Sequence, residues 1–236
     1  MNEKKYYPKV LVASPTYEGK DYIFEEHFKC ITSFDYLNYD YIYIHNTIVD
    51  SYTKKLRMRG AKVVHVPRGE HSREALSNAQ NYAFELVRQK DYDYLLFVES
   101  DLIPPKDTIQ RLLNHYKQVV GASYLIGTED IKYPCVFVED FRKDGQRGTR
   151  PLNPQEITHF FKYPKLYKVH GLGFGCTMIR RDIIERFNIY DDERYIDKHS
   201  NVYFYLSLSR ANIPVYVDSS FLVPHYPSKW SLVKDR

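Results

Sequence analysis

The chain has 236 residues, 43% of them hydrophobic, 16% aromatic and 27% charged, which suits one large folded domain and excludes a disordered chain or two independent domains. A net charge of +4 with scattered Lys and Arg excludes a nucleic-acid-binding stripe, and it is compatible with a diphosphate substrate without requiring one. Cys30, Cys135 and Cys176 are far apart, which argues against a disulfide framework or zinc cluster. Together with a polar start over Met1 to Lys9 and no stretch near the roughly 20 apolar residues of a membrane span, this gives the expectation of a cytoplasmic protein.

In chain order, Val10 to Ser14 reads as a buried strand, Pro15 to Gly19 as a loop and Tyr22 to Ser33 as a helix. Tyr41 to His45 is a second strand, Ser51 to Arg59 a short helix, and Lys62 to Val66 a third strand ended by Pro67-Arg68-Gly69. From Ser72 to Gln89 the residues Ala75, Leu76, Ala79, Tyr82, Ala83, Leu86 and Val87 keep helical period, with Ser72 as the expected N-cap. Tyr94 to Val98 is the fourth strand and Lys106 to His115 another helix. Strand, loop and helix recurring in this way predict right-handed crossovers in a mostly parallel sheet.

The second half is looser. Val119 to Leu125 and Cys135 to Val138 read as strands, and Phe141 to Gln155 as a long polar loop suited to a mobile lid. Cys176 to Ile179 is a strand, Arg181 to Phe187 and Val202 to Arg210 are helical, and Pro214 to Val217 is the last clear strand. Gly171-Leu172-Gly173-Phe174-Gly175 leads into a strand and not a helix, which rejects a dinucleotide fingerprint and leaves close approach of the Gly173 backbone to a ligand as its reading. His170 beside it is a candidate to face an acceptor, or a structural histidine.

Chemistry concentrates in Tyr92 to Pro105. An apolar strand there delivers Glu99 and Asp101 at its carboxyl end, where open α/β sheets bind ligands. Two residues apart on extended chain, the carboxylates point to one side, and hard oxygen ligands suit Mg²⁺ or Mn²⁺. Ser14-Pro15-Thr16 ends the first strand, where backbone groups can meet a base or ribose. Arg73, Asn78 and Asn81 lie on the helix before the acid strand, where amides can hold phosphate or hydroxyls. Arg73 and Asn81 read first as a solvated flank.

These pieces, with Gly171 to Arg181 and Val223-Pro224-His225, resemble the family-2-like nucleotide-diphospho-sugar transferases among the glycosyltransferases of the GT-A fold, over nearly the whole length. The resemblance implies an α/β chain with a Rossmann-like, mostly parallel mixed sheet flanked by helices. It implies one GT-A domain over 1–236, with a donor half over 1–105 and an acceptor half over 106–236. The implied activity is metal-dependent transfer of a sugar from a nucleotide-diphosphate donor to an unidentified hydroxyl acceptor. By resemblance Pro15 and Thr16 line the nucleotide, Asn46 reads the base, Asn78 with Arg73 serves the donor, and Glu99-Ser100-Asp101 stands for the family's Asp-x-Asp. Asp101 then binds Mn²⁺ or Mg²⁺, Glu99 faces ribose or a metal-bound water, and His225 returns to the metal.

The family's proton-accepting carboxylate is missing where it is expected. Asn201 sits in its place, an amide cannot accept a proton at neutral pH, and Asp197 is the nearest substitute, with Asp191, Asp192 and His199 close by. A non-catalytic nucleotide-sugar or glycan-binding protein is therefore the alternative. A sugar-phosphate nucleotidyltransferase is disfavoured, because Pro15 to Gly19 holds a single glycine. Neither a nucleic-acid partner nor a transmembrane segment is expected, and a homo-oligomer is left open.

Overall fold

The computed structural model describes residues 7–128, 130–141, 147–189 and 200–227. The first half alternates as the sequence suggests: β1 (Val10–Thr16), a 3-10 turn (Glu18–Ile23), α1 (Phe24–Ile31), β2 (Tyr39–His45), α2 (Asp50–Met58), β3 (Val63–His65), α3 (Ser72–Gln89) and β4 (Tyr94–Val98). There follow α4 (Thr108–Leu113), β5 (Val119–Ser123), β6 (Leu125–Gly127), β7 (Lys132–Pro134), β8 (Val136–Phe141), β9 (Arg147–Pro151), α5 (Pro154–Lys162), β10 (Leu166–Val169) and β11 (Gly171–Leu172). The described chain closes with β12 (Cys176–Arg180), α6 (Arg181–Ile184), α7 (Ser200–Arg210) and β13 (Val215–Leu222).

One eight-stranded sheet has the order β10-β13-β5-β12-β4-β1-β2-β3. β3, β2, β1, β4, β5 and β13 run one way, and β12 and β10 run the other. The mixed, mostly parallel sheet expected from the sequence is the one observed, and it runs without a break through both halves of the chain. Period two explains why its central strands read as apolar runs. Val10 and Val12 on β1 and Leu96 and Val98 on β4 join one buried cluster, with Phe24, Leu56 and Ile109 from α1, α2 and α4. Leu11, Ala13, Leu95 and Phe97 join the other, with Ala79, Ala83 and Phe84 of α3 and Phe204 of α7. Both faces are covered there, so β1 and β4 alternate between two cores.

Three sequence expectations give way. Residues 141–155 are not one long loop: β8 and β9 pair antiparallel from Phe137↔Pro151 to Phe141↔Arg147, and α5 starts at Pro154. A capping box fixes that start, with Asn153 Oδ1 accepting from the Glu156 backbone 2.9 Å away and Glu156 Oε2 accepting from the Asn153 backbone at 2.8 Å. The N-cap of α3 is His71, whose Nδ1 accepts from the Glu74 backbone at 3.1 Å; Ser72 lies inside the helix. His170 follows Val169, which pairs with Val215 at the amino end of β13. It is thus at the sheet end opposite Asp101, where Glu139 lies 3.7 Å away, and it does not face the candidate site.

Candidate active site

β4 ends at Val98, and the chain then turns, with the Leu102 amide donating to the Glu99 carbonyl at 2.9 Å. The acid pair therefore sits on a turn and not on extended strand, and its convergence comes from that turn and its clamps. On one side the Glu99 amide donates to the Gly175 carbonyl at 2.9 Å. On the other, Leu102 forms an antiparallel bridge with His225, flanked by Ile103 N–H to Pro224 C=O at 3.0 Å and Tyr226 N–H to Asp101 C=O at 2.9 Å. The segment following β13 is thereby stitched to the acid turn, and His225 comes to Asp101 from far away in sequence.

Asp101 is 2% exposed. Its Oδ2 lies 3.4 Å from His225 Nε2 and forms an ion pair with Lys20 Nζ. Its Oδ1 is buried and has no hydrogen-bond partner among the described residues. Burial alone would raise this carboxyl, yet the His225 contact and the Lys20 charge outweigh it and hold Asp101 below the ordinary range. Glu99 goes the other way: burial and the Asp101 charge push it up, against the pull of Lys20 and His225. The two carboxylates divide into one fixed anion and one group held toward its neutral form.

His225 Nδ1 lies 2.6 Å from the Leu125 carbonyl. A carbonyl only accepts, so Nδ1 carries a proton and Nε2 is the nitrogen turned to Asp101. Burial lowers the imidazole pKa, but contact with Asp101 more than offsets this and raises it. The Tyr124 ring meets His225 edge-on at 5.6 Å between centroids. A Cβ added at Gly173 would overlap the Tyr124 hydroxyl, and one at Gly175 would crowd the same ring. The Tyr124 ring thus requires glycine at both positions.

The remaining candidates occupy different surroundings. Pro15 and Thr16 end β1 and are buried, and the Thr16 hydroxyl lies 2.8 Å from that of Tyr52. Asn46 is buried just past β2. Arg73 is half-buried in the first turn of α3, and Asn78 donates to the Pro67 carbonyl at 3.1 Å. Asn81 accepts from the Ile189 backbone at 3.2 Å, which replaces its solvated-flank reading. Ser100 has a buried hydroxyl with no partner among the described residues. Asn201 lies in the first turn of α7 and donates to the Leu172 carbonyl at 3.2 Å, its Oδ1 buried with no partner among the described residues, while Ser200 before it donates to Gln80 at 2.9 Å. Asp197, Asp191, Asp192, His199 and the lid tip 142–146 lie outside the described residues.

Sequence reasoning missed Lys20 and Tyr124. Lys20 follows Gly19 in what reads as an exposed loop, and no periodicity marks it. The 3-10 turn, closed by Lys20 N–H to Tyr17 C=O at 2.9 Å, carries the side chain onto Asp101.

Comparison with known proteins agrees with this architecture. The family model for glycosyl transferase family 2 matches residues 12–187. Among solved structures, the mannosyltransferase PcManGT from Pyrobaculum calidifontis, in complex with GDP-Man and Mn²⁺, aligns with a TM-score of 0.62 at 13% identity over 95% of this chain and 59% of that one. GalNAc-T7 with UDP, GalNAc and Mn²⁺ aligns with a TM-score of 0.62 at 11% identity over 94% of this chain and 44% of its own. A CMP:2-keto-3-deoxy-manno-octonic acid synthetase complexed with CTP aligns at 0.55 and 10% identity, over 95% of both chains. No curated protein sequence matches. At these identities the structural likenesses speak for the fold, and this chain spans only part of the two transferases' lengths. No described helix is long and apolar enough to cross a membrane. The family match over most of the chain, on a sheet of this order and direction, makes the protein a GT-A-fold member of glycosyl transferase family 2.

Proposed function

We propose that the protein transfers a sugar from a nucleotide-diphosphate donor to a hydroxyl acceptor in the cytoplasm, with Mn²⁺ or Mg²⁺ held by Asp101 and His225. One observation carries this reading: Asp101 is a buried carboxylate with one oxygen lacking any partner among the described residues and an imidazole facing the other. Carboxylate oxygen with a single imidazole is a donor set suited to either ion. The ion, when bound, would neutralise the negative charge that develops on the departing diphosphate.

In this reading residues 1–105 form the donor half and 106–236 the acceptor half. The backbone at Pro15 and Thr16 and the Asn46 side chain hold the nucleoside, while Arg73 and Asn78 hold the phosphates. Ser100 and the Gly173 backbone border the donor. Glu99, held toward its neutral form, offers a hydrogen to ribose. Asp197 takes the acceptor's hydroxyl proton, and the acceptor oxygen bonds to the anomeric carbon as the bond from that carbon to the nucleoside diphosphate breaks.

Calorimetry with GDP-, UDP- and dTDP-sugars, each with and without Mn²⁺, tests the donor part. Binding of one donor that needs the ion and disappears in Asp101→Ala supports it; metal-independent binding of the same strength in both proteins overturns the ion's role. The acceptor part rests on Asp197→Asn, expected to lower kcat by a factor on the order of 100 with donor affinity unchanged. A second reading, a donor-binding protein without transfer, is favoured by Asn201 at the helix start. Metal-dependent hydrolysis of a bound donor would exclude it.

A further inference from the structure

The feature left over is Lys20. A lysine 8% exposed is costly to bury unless its charge is met, and here it is met on the very oxygen that His225 approaches. Its placement is built into the fold. Tyr17 is extended at φ −156° before the 3-10 turn begins, its ring packs where a Cβ on Gly19 would sit, and the turn closed by Lys20 N–H to Tyr17 C=O carries the next side chain to Asp101. The result is an ammonium group at a carboxylate that a divalent ion would also need.

We infer that Lys20 is an internal competitor for the divalent ion: it occupies Asp101 Oδ2 in the metal-free protein and must leave that oxygen when the ion binds. The inference rests on the assignment of the ion to Asp101 and His225 made above. It follows from charge and space. A carboxylate buried to this degree cannot be left bare without several kcal/mol of desolvation cost, so some cation must accompany it in the metal-free state. Lys20 supplies that cation, and it does so from a side chain long enough to swing outward. The displaced ammonium is then released beside the diphosphate, where a point positive charge on a mobile stem suits phosphate oxygen. Ion and diphosphate therefore bind as a cooperating pair, and the ion alone binds weakly.

The test is Mn²⁺ binding by calorimetry and by loss of the free-ion paramagnetic resonance signal, without nucleotide, on wild-type protein, Lys20→Met, Lys20→Gln and Arg68→Met. Arg68 is a nearby cation whose partner is Glu18, 3.7 Å away. Both Lys20 variants should bind Mn²⁺ about tenfold or more tightly than wild type, the scale of a close charge pair, and Arg68→Met should stay within about twofold, as expected for a more distant, partly exposed charge. Equal affinity in wild type and the Lys20 variants overturns the inference, as does an equal gain in Arg68→Met, which would make the effect a diffuse field. No Mn²⁺ binding by any of the proteins would instead remove the ion assignment and this inference with it.

Wild-type protein gives a readout that needs no variant. Amine acetylation mapped by mass spectrometry should find Lys20 protected without Mg²⁺ and reactive with saturating Mg²⁺. Protection unchanged while Mg²⁺ binding is shown by calorimetry overturns the displacement.

Discussion

Two of the places where this molecule buries polar groups do so in different ways. At the end of β4, Glu99, Asp101, Lys20 and His225 crowd together with opposed charges and an oxygen without a described partner. At the start of α7, Ser200 and Gln80 share a hydrogen bond and Asn201 is tied to the Leu172 carbonyl, all of them neutral. Neutral donors that meet acceptors in this way join two helices and a loop as glue, although Asn201 Oδ1 stays buried with no partner among the described residues. Opposed charges with spare valence are expensive to bury, and that expense is a mark of a ligand site. The contrast is one of charge: the start of α7 buries neutral groups and the acid turn buries opposed charges.

The sharpest way to break the comparison is Asp101→Asn. It strands the Lys20 ammonium against an amide, which should cost about 3–5 kcal/mol in urea unfolding and leave the melting temperature indifferent to Mn²⁺. Unchanged stability would mean that the ion pair is not a burden-bearing contact.

A pH test separates the charged end from the neutral layer behind it. His27 is fully buried with Nδ1 2.7 Å from the Tyr43 hydroxyl, and burial pushes its pKa down to about 4. The unfolded chain takes up this proton at its ordinary, higher pKa and the folded chain does not. Stability is therefore full above about pH 6.5 and falls on acidification toward pH 4, by about 3 kcal/mol in all. His27→Gln should flatten this part of the profile relative to wild type; parallel profiles would contradict a neutral buried imidazole.

Asn201→Asp probes the glue. Loss of the donated bond sets a carboxylate against a carbonyl, at a cost of about 1–3 kcal/mol, and no transferase activity is gained. A gain in turnover would instead make the helix start the proton-accepting position.

The mildest change is Glu99→Gln. The folded protein already favours the neutral carboxyl, so the amide should shift stability at pH 6 by no more than about 1 kcal/mol. A carboxyl raised on folding makes stability fall as pH rises from the ordinary carboxylate range toward its folded value, and this variant should lack that fall. A loss as large as that in Asp101→Asn would show that the two carboxylates are equivalent.

The first half of the fold was open to reading because β1, β2 and β4 are apolar runs between polar helices, and the acid pair stands directly after such a run. Period two and period 3.6 carry that information locally. The β8–β9 hairpin was hidden because Gly145, Gly148 and Pro151 punctuate it like a loop, although Asn153-Pro154-Gln155-Glu156 held a readable helix start. Lys20 could not be read at all. Its significance lies in a contact across 81 residues, and a lysine in a turn carries no local mark of what it will touch. His225 was within reach only through the family resemblance, since no spacing rule joins it to Asp101.

The Leu102–His225 bridge sets a time as well as a place. Its partners are far apart in sequence, so Asp101 and His225 meet only once β13 has docked against β5. Contacts of such long sequence separation form late, after their loop entropy has been met. A chain still emerging from synthesis therefore holds β1, β2, β3 and β4 before it holds the Asp101–His225 pair, and formation of that pair would report that the sheet has closed through β13.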